Sequence, residues 1–198
     1  MNLPIGIGQI YATLMSVILA GVFNMVFVKL PVFEKLYVPM DGGKTLSDGK
    51  RLFGDNKTWK GFFGMILLGG FAQVIWGTVC NIIPVLKENN MLYTVHHSGL
   101  LIDLCAGLLF GFAYALFELP NSFIKRRLDI KAGKTDKGIK GIIFYIIDQI
   151  DSLLGVVLCL ALICHISFAQ YWFCIFVGFF THSAVNLILY GLKIRRNI

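Results

Sequence analysis

Long apolar runs broken by shorter polar stretches set the pattern of this chain. Five runs, over residues 6–28, 61–83, 99–119, 142–164 and 170–192, are long enough to cross a bilayer. A spanning helix needs about 20 mostly apolar residues, because the hydrocarbon core is roughly 30 Å thick. Spanning strands would instead alternate apolar and polar positions over about ten residues, and these runs do not alternate. The pattern predicts an all-α polytopic membrane protein with five transmembrane helices, forming one integral membrane domain over residues 1–198. The first run is too long for the apolar stretch of a signal peptide and has no basic residue before Lys29, so it reads as a retained helix.

Composition agrees with this reading. The chain of 198 residues is 57% hydrophobic and only 15% charged, where a soluble domain carries about a quarter charged residues. The placement of charge adds orientation. Of 18 Lys and Arg residues, all but Lys87 lie in three places: between the first two runs, between the third and fourth, or in the tail with Lys193, Arg195 and Arg196. Basic residues are retained on the cytoplasmic side. The N-terminus is therefore expected outside and the C-terminus in the cytoplasm, with two long cytoplasmic loops and a multi-pass location in the cell membrane. Orientation and attraction to anionic headgroups account for the net charge of +7. No soluble module is present to read nucleic acid, which excludes that class of partner. Cys80, Cys105, Cys159, Cys164 and Cys174 fall in or beside apolar runs without a C-x-x-C pair, and read as small hydrophobes. Oligomeric state is left open.

The two long loops hold most of the polar chemistry. The first, Lys29 to Lys60, is rich in Pro and Gly and predicts irregular structure. The second is expected from Pro120 to Gly141. Asn121-Ser122 opens it as a helix cap, and Phe123–Leu128 forms a short interfacial helix. The outer loops, Pro84–Ser98 and His165–Ala169, are short and nearly uncharged.

Within the fourth run, Asp148 and Asp151 are three residues apart and share a helix face, two to three turns from the cytoplasmic end. Two carboxylates buried together need a cation. Magnesium suits oxygen ligands and bridges phosphates; a salt bridge to a loop Lys or Arg is the alternative. In Gly54-Asp55-Asn56-Lys57-Thr58-Trp59-Lys60-Gly61, a Lys, a hydroxyl and free N–H groups precede a spanning helix, a combination that binds phosphate; flanking topogenic charge is the other reading. Asn121, Ser122, Lys125, Arg126 and Arg127 offer a second phosphate-binding cluster, again against topology alone. Gly43-Lys44-Thr45 is no Walker A ending, since Val38 stands where the leading Gly belongs. Asn24, Gln73, His182 and Asn186 are expected to bond between helices, and Gly107-x-x-x-Gly111 to form a packing face. Asp103 and Glu118 lie near run ends and are expected to reach water.

These residues resemble those of the CDP-archaeol synthase family, membrane cytidylyltransferases related to the CDP-diacylglycerol synthases. The resemblance covers nearly the whole chain. It takes in Pro39-x-Asp41-x-Gly43, Asp48-Gly49-Lys50-Arg51, Gly54-x-x-Lys57-Thr58-Trp59-Lys60-Gly61, Asn121 to Arg127, and Asp148-Gln149-x-Asp151. The last two blocks are similar to the wider signature S-x-x-K-R followed by D-R-x-D. Gln149 replaces its Arg, the K-D and H-G-G elements of that signature are missing, and Lys60 stands where Arg is expected. These departures fit the archaeol branch better than the diacylglycerol one.

The resemblance implies transfer of a cytidylyl group from CTP to a membrane lipid phosphate, 2,3-di-O-geranylgeranylglyceryl phosphate, with release of pyrophosphate. Phosphatidic acid is the alternative substrate. It implies Asp148 and Asp151 as magnesium ligands and, with Lys57, as catalytic groups. Asn56, Lys57, Thr58, Lys60, Asn121, Ser122, Lys125 and Arg126 would contact the substrates. Two other classes stand beside it: a small ion-coupled transporter using Asp148 and Asp151, and a non-catalytic adaptor binding anionic lipid.

Overall fold

Helices form where the apolar runs lie. The structure of the protein is a computed structural model that describes residues 5–134 and 136–193; Arg195 and Arg196 of the basic tail lie outside them. In chain order the helices are α1 (Ile7–Phe27), α2 (Trp59–Ile82), α3 (Pro84–Asn89), α4 (Met91–Val95), α5 (Leu100–Arg127), α6 (Gly138–Cys164) and α7 (Phe168–Gly191). Among the described residues, α1, α2, α5, α6 and α7 are long and apolar enough to cross a membrane. No strand forms there; two isolated bridges, Pro39 with Thr58 and Thr45 with Arg51, tie the first loop together.

Three expectations need correction. The third helix does not stop before Pro120 but runs through it to Arg127, so Asn121 and Ser122 are helix-interior residues rather than a cap. Proline removes one backbone donor, but in membrane helices neighbouring groups re-satisfy the freed carbonyl, so the break seen in water is avoided. The fourth spanning helix begins at Gly138, and the second loop shrinks to residues 128–137. Finally, the segment after Pro84 is not a bare loop: it folds into α3 and α4. These bring Tyr93 onto Asp103, whose Oδ1 accepts from the Tyr93 hydroxyl at 2.6 Å and from Gln73 Nε2 at 3.3 Å. Asp103 is only 3% exposed and does not reach water.

The α2 and α5 backbones meet directly. A Cβ on Gly107 would strike the Gly69 carbonyl and lie 2.8 Å from the Gly70 Cα; one on Gly111 would strike the Met65 carbonyl and lie 2.9 Å from the Ile66 Cα. Only hydrogen at these positions lets the two backbones meet. The expected polar ties are present. Gln73 Oε1 accepts from Ser16 Oγ at 2.5 Å. Asn186 Nδ2 donates to Gln149 Oε1 at 2.7 Å. His182 Nδ1 lies 3.0 Å from the Gln149 carbonyl oxygen, and Asn24 Nδ2 donates to the Gly61 carbonyl at 3.1 Å.

Candidate functional site

One buried carboxylate folds the first loop. Asp41, 4% exposed, accepts from Arg51 Nη2 at 2.5 Å and Nε at 3.1 Å. It also accepts from the backbone N–H groups of Gly43 at 3.1 Å, Phe53 at 3.0 Å and Gly54 at 2.9 Å. Burial opposes its ionisation, but the Arg51 guanidinium and the Gly54, Phe53 and Gly43 N–H groups outweigh it and hold Asp41 far below the usual carboxylate range. Two backbone bonds then close the loop, Met40 N to Lys57 O at 2.8 Å and Trp59 N to Val38 O at 3.1 Å. The closure delivers Lys57 and Thr58 to the start of α2. Thr58 is the N-cap there, its Oγ1 accepting from Gly61 N at 3.1 Å.

The loop is then clamped to the end of α5. Arg127 Nη1 donates to both Asp48 carboxylate oxygens at 2.8 and 2.7 Å, and Arg127 Nη2 to the Arg51 carbonyl. Lys50 Nζ donates to the Arg127 carbonyl and to Asp129 Oδ2, each at 2.8 Å. The Lys50 ammonium holds Asp129 below its ordinary carboxylate value.

Between loop, α5 and α6 lies the polar centre. Because α5 continues past Pro120, Glu118, Asn121, Ser122 and Lys125 fall at helical spacing on it. Asn121 Nδ2 donates to Asp148 Oδ1 and to Asp151 Oδ2, both at 2.6 Å. Lys125 Nζ meets both oxygens of Asp148 at 2.5 Å. The salt-bridge alternative for Asp148 is thus realised, while Asp151 takes its bonds from Asn121 and from Ser152 N, the latter at 2.6 Å. Lys57 pairs with Glu118. Burial lowers the affinity of Lys57 for its proton, but Glu118, with added pull from Asp151 and Asp148, raises its pKa above the ordinary value.

Arg126 carries a different message. Its Nε is buried without a hydrogen-bond partner, and among the described residues its guanidinium has no carboxylate partner. It packs against Gly54, where a Cβ would lie 3.3 Å from Arg126 Nη1 at a φ of +89°. A half-buried guanidinium with one N–H unbonded gains from an anion that completes it.

The predicted residues are not all brought together. Lys57, Asn121, Lys125, Asp148 and Asp151 come together between the loop and the two helices, while Thr58 caps α2, Ser122 is buried on α5 and Arg126 packs against Gly54. Asn56 is exposed beside the second loop, its Nδ2 3.0 Å from where a Cβ on Gly133 would sit. Lys60 points elsewhere. It is 2% exposed, and its ammonium donates to the Val28 carbonyl at 3.2 Å and the Leu30 carbonyl at 2.6 Å. The Phe27 and Tyr37 rings lie 5.2 and 5.8 Å away. A cation there completes the carbonyl end of α1, so Lys60 is a structural residue. Glu118, Asp41 and Arg51 are the groups that reading for chemistry passed over. Glu118 would have stood out on a helix drawn through Pro120.

Whether a magnesium ion fits is decided by the donors. One oxygen of Asp148 and one of Asp151 lie 2.6 Å from the same Asn121 nitrogen, so both converge on one point. The other end of that amide, Asn121 Oδ1, is buried without a partner. Among the described residues no group of three or more His, Cys, Asp or Glu gathers at metal-binding spacing. Magnesium does not need one, since it takes one or two carboxylates and fills its shell with water and phosphate oxygens. The donor set fits.

Comparison with known proteins extends these observations. A family model described as CarS-like, CDP-archaeol synthase, matches residues 7–197. The CDP-archaeol synthase of Methanococcoides burtonii is 31% identical over 80% of this chain and 88% of its own length. That of Saccharolobus islandicus is 31% identical over 82% of each chain. The fold is similar to a solved intramembrane enzyme of archaeal membrane lipid biosynthesis, with a TM-score of 0.60, 22% identity, and coverage of 89% of this chain and 92% of that one.

Proposed function

The chain belongs to the CDP-archaeol synthase family, and from that premise we propose how it transfers the cytidylyl group of CTP to the archaeal lipid phosphate, giving CDP-archaeol and pyrophosphate. A phosphate oxygen of 2,3-di-O-geranylgeranylglyceryl phosphate attacks the α-phosphorus of CTP. The bond from that phosphorus to the bridging oxygen breaks, and the electron pair leaves with pyrophosphate. The protein's task is positioning and charge neutralisation. The observation that carries the reading is the convergence of Asp148 and Asp151 on Asn121, with the half-buried Arg126, whose Nε has no hydrogen-bond partner, on the same helix as Asn121.

Arg126, Lys57 and the N-terminus of α2 at Thr58 hold phosphate oxygens. Lys125 orients Asp148 through contacts to both its oxygens, and Asn121 fixes the spacing of Asp148 and Asp151. Asp148 and Asp151 would hold magnesium, which would supply neutralisation of the phosphate charge. Glu118 holds Lys57 in place until substrate phosphate competes for its ammonium.

The assay uses purified protein in liposomes with CTP, magnesium and a panel of lipid phosphates that includes phosphatidic acid. Pyrophosphate should appear only when CTP and lipid phosphate are both present, fastest with the geranylgeranyl ether lipid. Equal turnover with ATP would overturn the substrate assignment, because phosphate contacts alone cannot tell bases apart.

The site faces the cytoplasm in this reading, because the basic residues cluster at that end of the helices. Single cysteines at Lys44 and Lys134 should resist an impermeant maleimide applied to intact cells, while one at Glu88, exposed on α3, should react. Labelling of position 44 from outside would reverse the orientation.

A further inference from the structure

Residues 29–38 are an unusual stretch for a loop in water. Every one of them is exposed, and Leu30, Val32, Phe33, Leu36, Tyr37 and Val38 present large apolar groups, with Phe33 68% exposed. Exposed apolar stretches of this kind mark an interaction surface.

Contacts within the molecule fix the depth of the stretch. The 21 residues of α1 rise roughly 30 Å, about the thickness of the hydrocarbon core, so Phe27 lies at its boundary. The Phe33 ring stands 6.2 Å from the Phe27 ring. At one end, the Val28 and Leu30 carbonyls are held by the buried Lys60 ammonium. At the other, the Val38 carbonyl accepts from the N–H of Trp59, the first residue of α2. The segment is therefore pinned at both ends to the termini of two spanning helices at one face of the bilayer. Trp59 and Tyr37 beside it are the aromatic types that settle at headgroup level. Lys29 precedes the apolar residues and Lys35 lies among them beside the single acidic Glu34, leaving the stretch a net positive charge that complements anionic headgroups.

We propose that residues 29–38 form an interfacial segment seated in the lipid headgroup layer at the face carrying the polar site, with Phe33 and Leu36 reaching the acyl boundary. The partner is the bilayer surface itself. Lys60 is the post that fastens the segment at this depth, which accounts for a cation buried away from the phosphates.

The test places the photoreactive residue p-benzoylphenylalanine at position 33, in the full chain reconstituted into liposomes of tritiated anionic phospholipid. Irradiation should attach tritium to the protein several-fold more efficiently than the same residue at position 134, exposed on the second loop. Position 36 provides an independent site should the first variant fail to elute as a monodisperse species. Tritium no higher than at position 134 would overturn the proposal, as would a crosslinked band at twice the 22.1 kDa chain mass, which would assign the surface to a second copy of the chain. The readout needs no catalysis and no knowledge of sidedness, so it fails or succeeds independently of the cytidylyl transfer reading.

Discussion

Asp151→Asn should slow cytidylyl transfer about 100-fold or more, the usual consequence of losing one electrostatic contact at a phosphoryl centre, while the protein stays folded. The amide keeps the shape of the carboxylate and is cheaper to bury. Its neighbours, Asn121 and Ser152 N, are neutral donors, so no cation is stranded. Asp148→Asn should lose comparable rate and also lose stability. Lys125 then keeps no counter-charge, and breaking a buried pair costs about 3–5 kcal/mol; the 15% exposure of the Lys125 side chain makes that an upper bound. Turnover across a magnesium titration, measured beside thermal unfolding in detergent, separates the two variants. A stable Asp151→Asn protein with near-normal turnover at limiting magnesium would remove that carboxylate from the reacting centre.

Asp41→Ala should abolish activity nearly completely without touching a substrate. The change leaves Arg51 only its exposed partner Asp55 and unpairs three backbone N–H groups on which the loop is folded. The buried Gly54 N–H left unpaired costs about 1–3 kcal/mol, the partly buried Gly43 and Phe53 N–H groups cost less, and the loop loses the carboxylate that gathers all three. Trypsin should then cut at Lys44, Lys50 or Arg51 within the released loop, while the helical content by circular dichroism stays unchanged. A trypsin-resistant Asp41→Ala protein with normal turnover would show that the loop is organised some other way. In the parent protein the Asp41 contribution also sets an acid limit. Its pKa is depressed on folding, so its stabilisation is complete above the unfolded value of about 4 and is lost as pH falls through the folded value.

The helices were legible because the bilayer demands length and apolarity, and residues 6–28 and 170–192 meet α1 and α7 within about two residues, the usual scatter of helix ends. Pro120 was misread because helix breaking is a rule of water, where a freed carbonyl and a missing donor favour an exit from the helix. Ending the helix there hid the stripe of Glu118, Asn121, Ser122 and Lys125, and with it the partner of Lys57. The position of the Lys60 ammonium on the Val28 and Leu30 carbonyls was not legible, because a motif of basic residues before a helix does not say which ammonium turns back toward α1. Asp103 was read as solvated because the fold of α3 and α4 over that end of the bundle depends on tertiary contacts such as Asn90 Nδ2 to the Ala12 carbonyl at 3.0 Å, which no local pattern encodes.

The glycine contact between α2 and α5 also acts as a fulcrum. Gly69 lies ten residues from Trp59, and Gly111 fourteen from Lys125, giving lever arms of about 15 and 21 Å at the helical rise. A tilt of about 5° at the crossing would move the far ends by roughly 1–2 Å, on the scale at which misplacement costs about 100-fold in rate. Lys57 rides at the tip of one arm, and Asn121, Lys125 and Arg126 along the other. The alignment of the two groups of residues proposed to bind phosphate is therefore gauged midway along the two helices, by hydrogens on glycines far from either group.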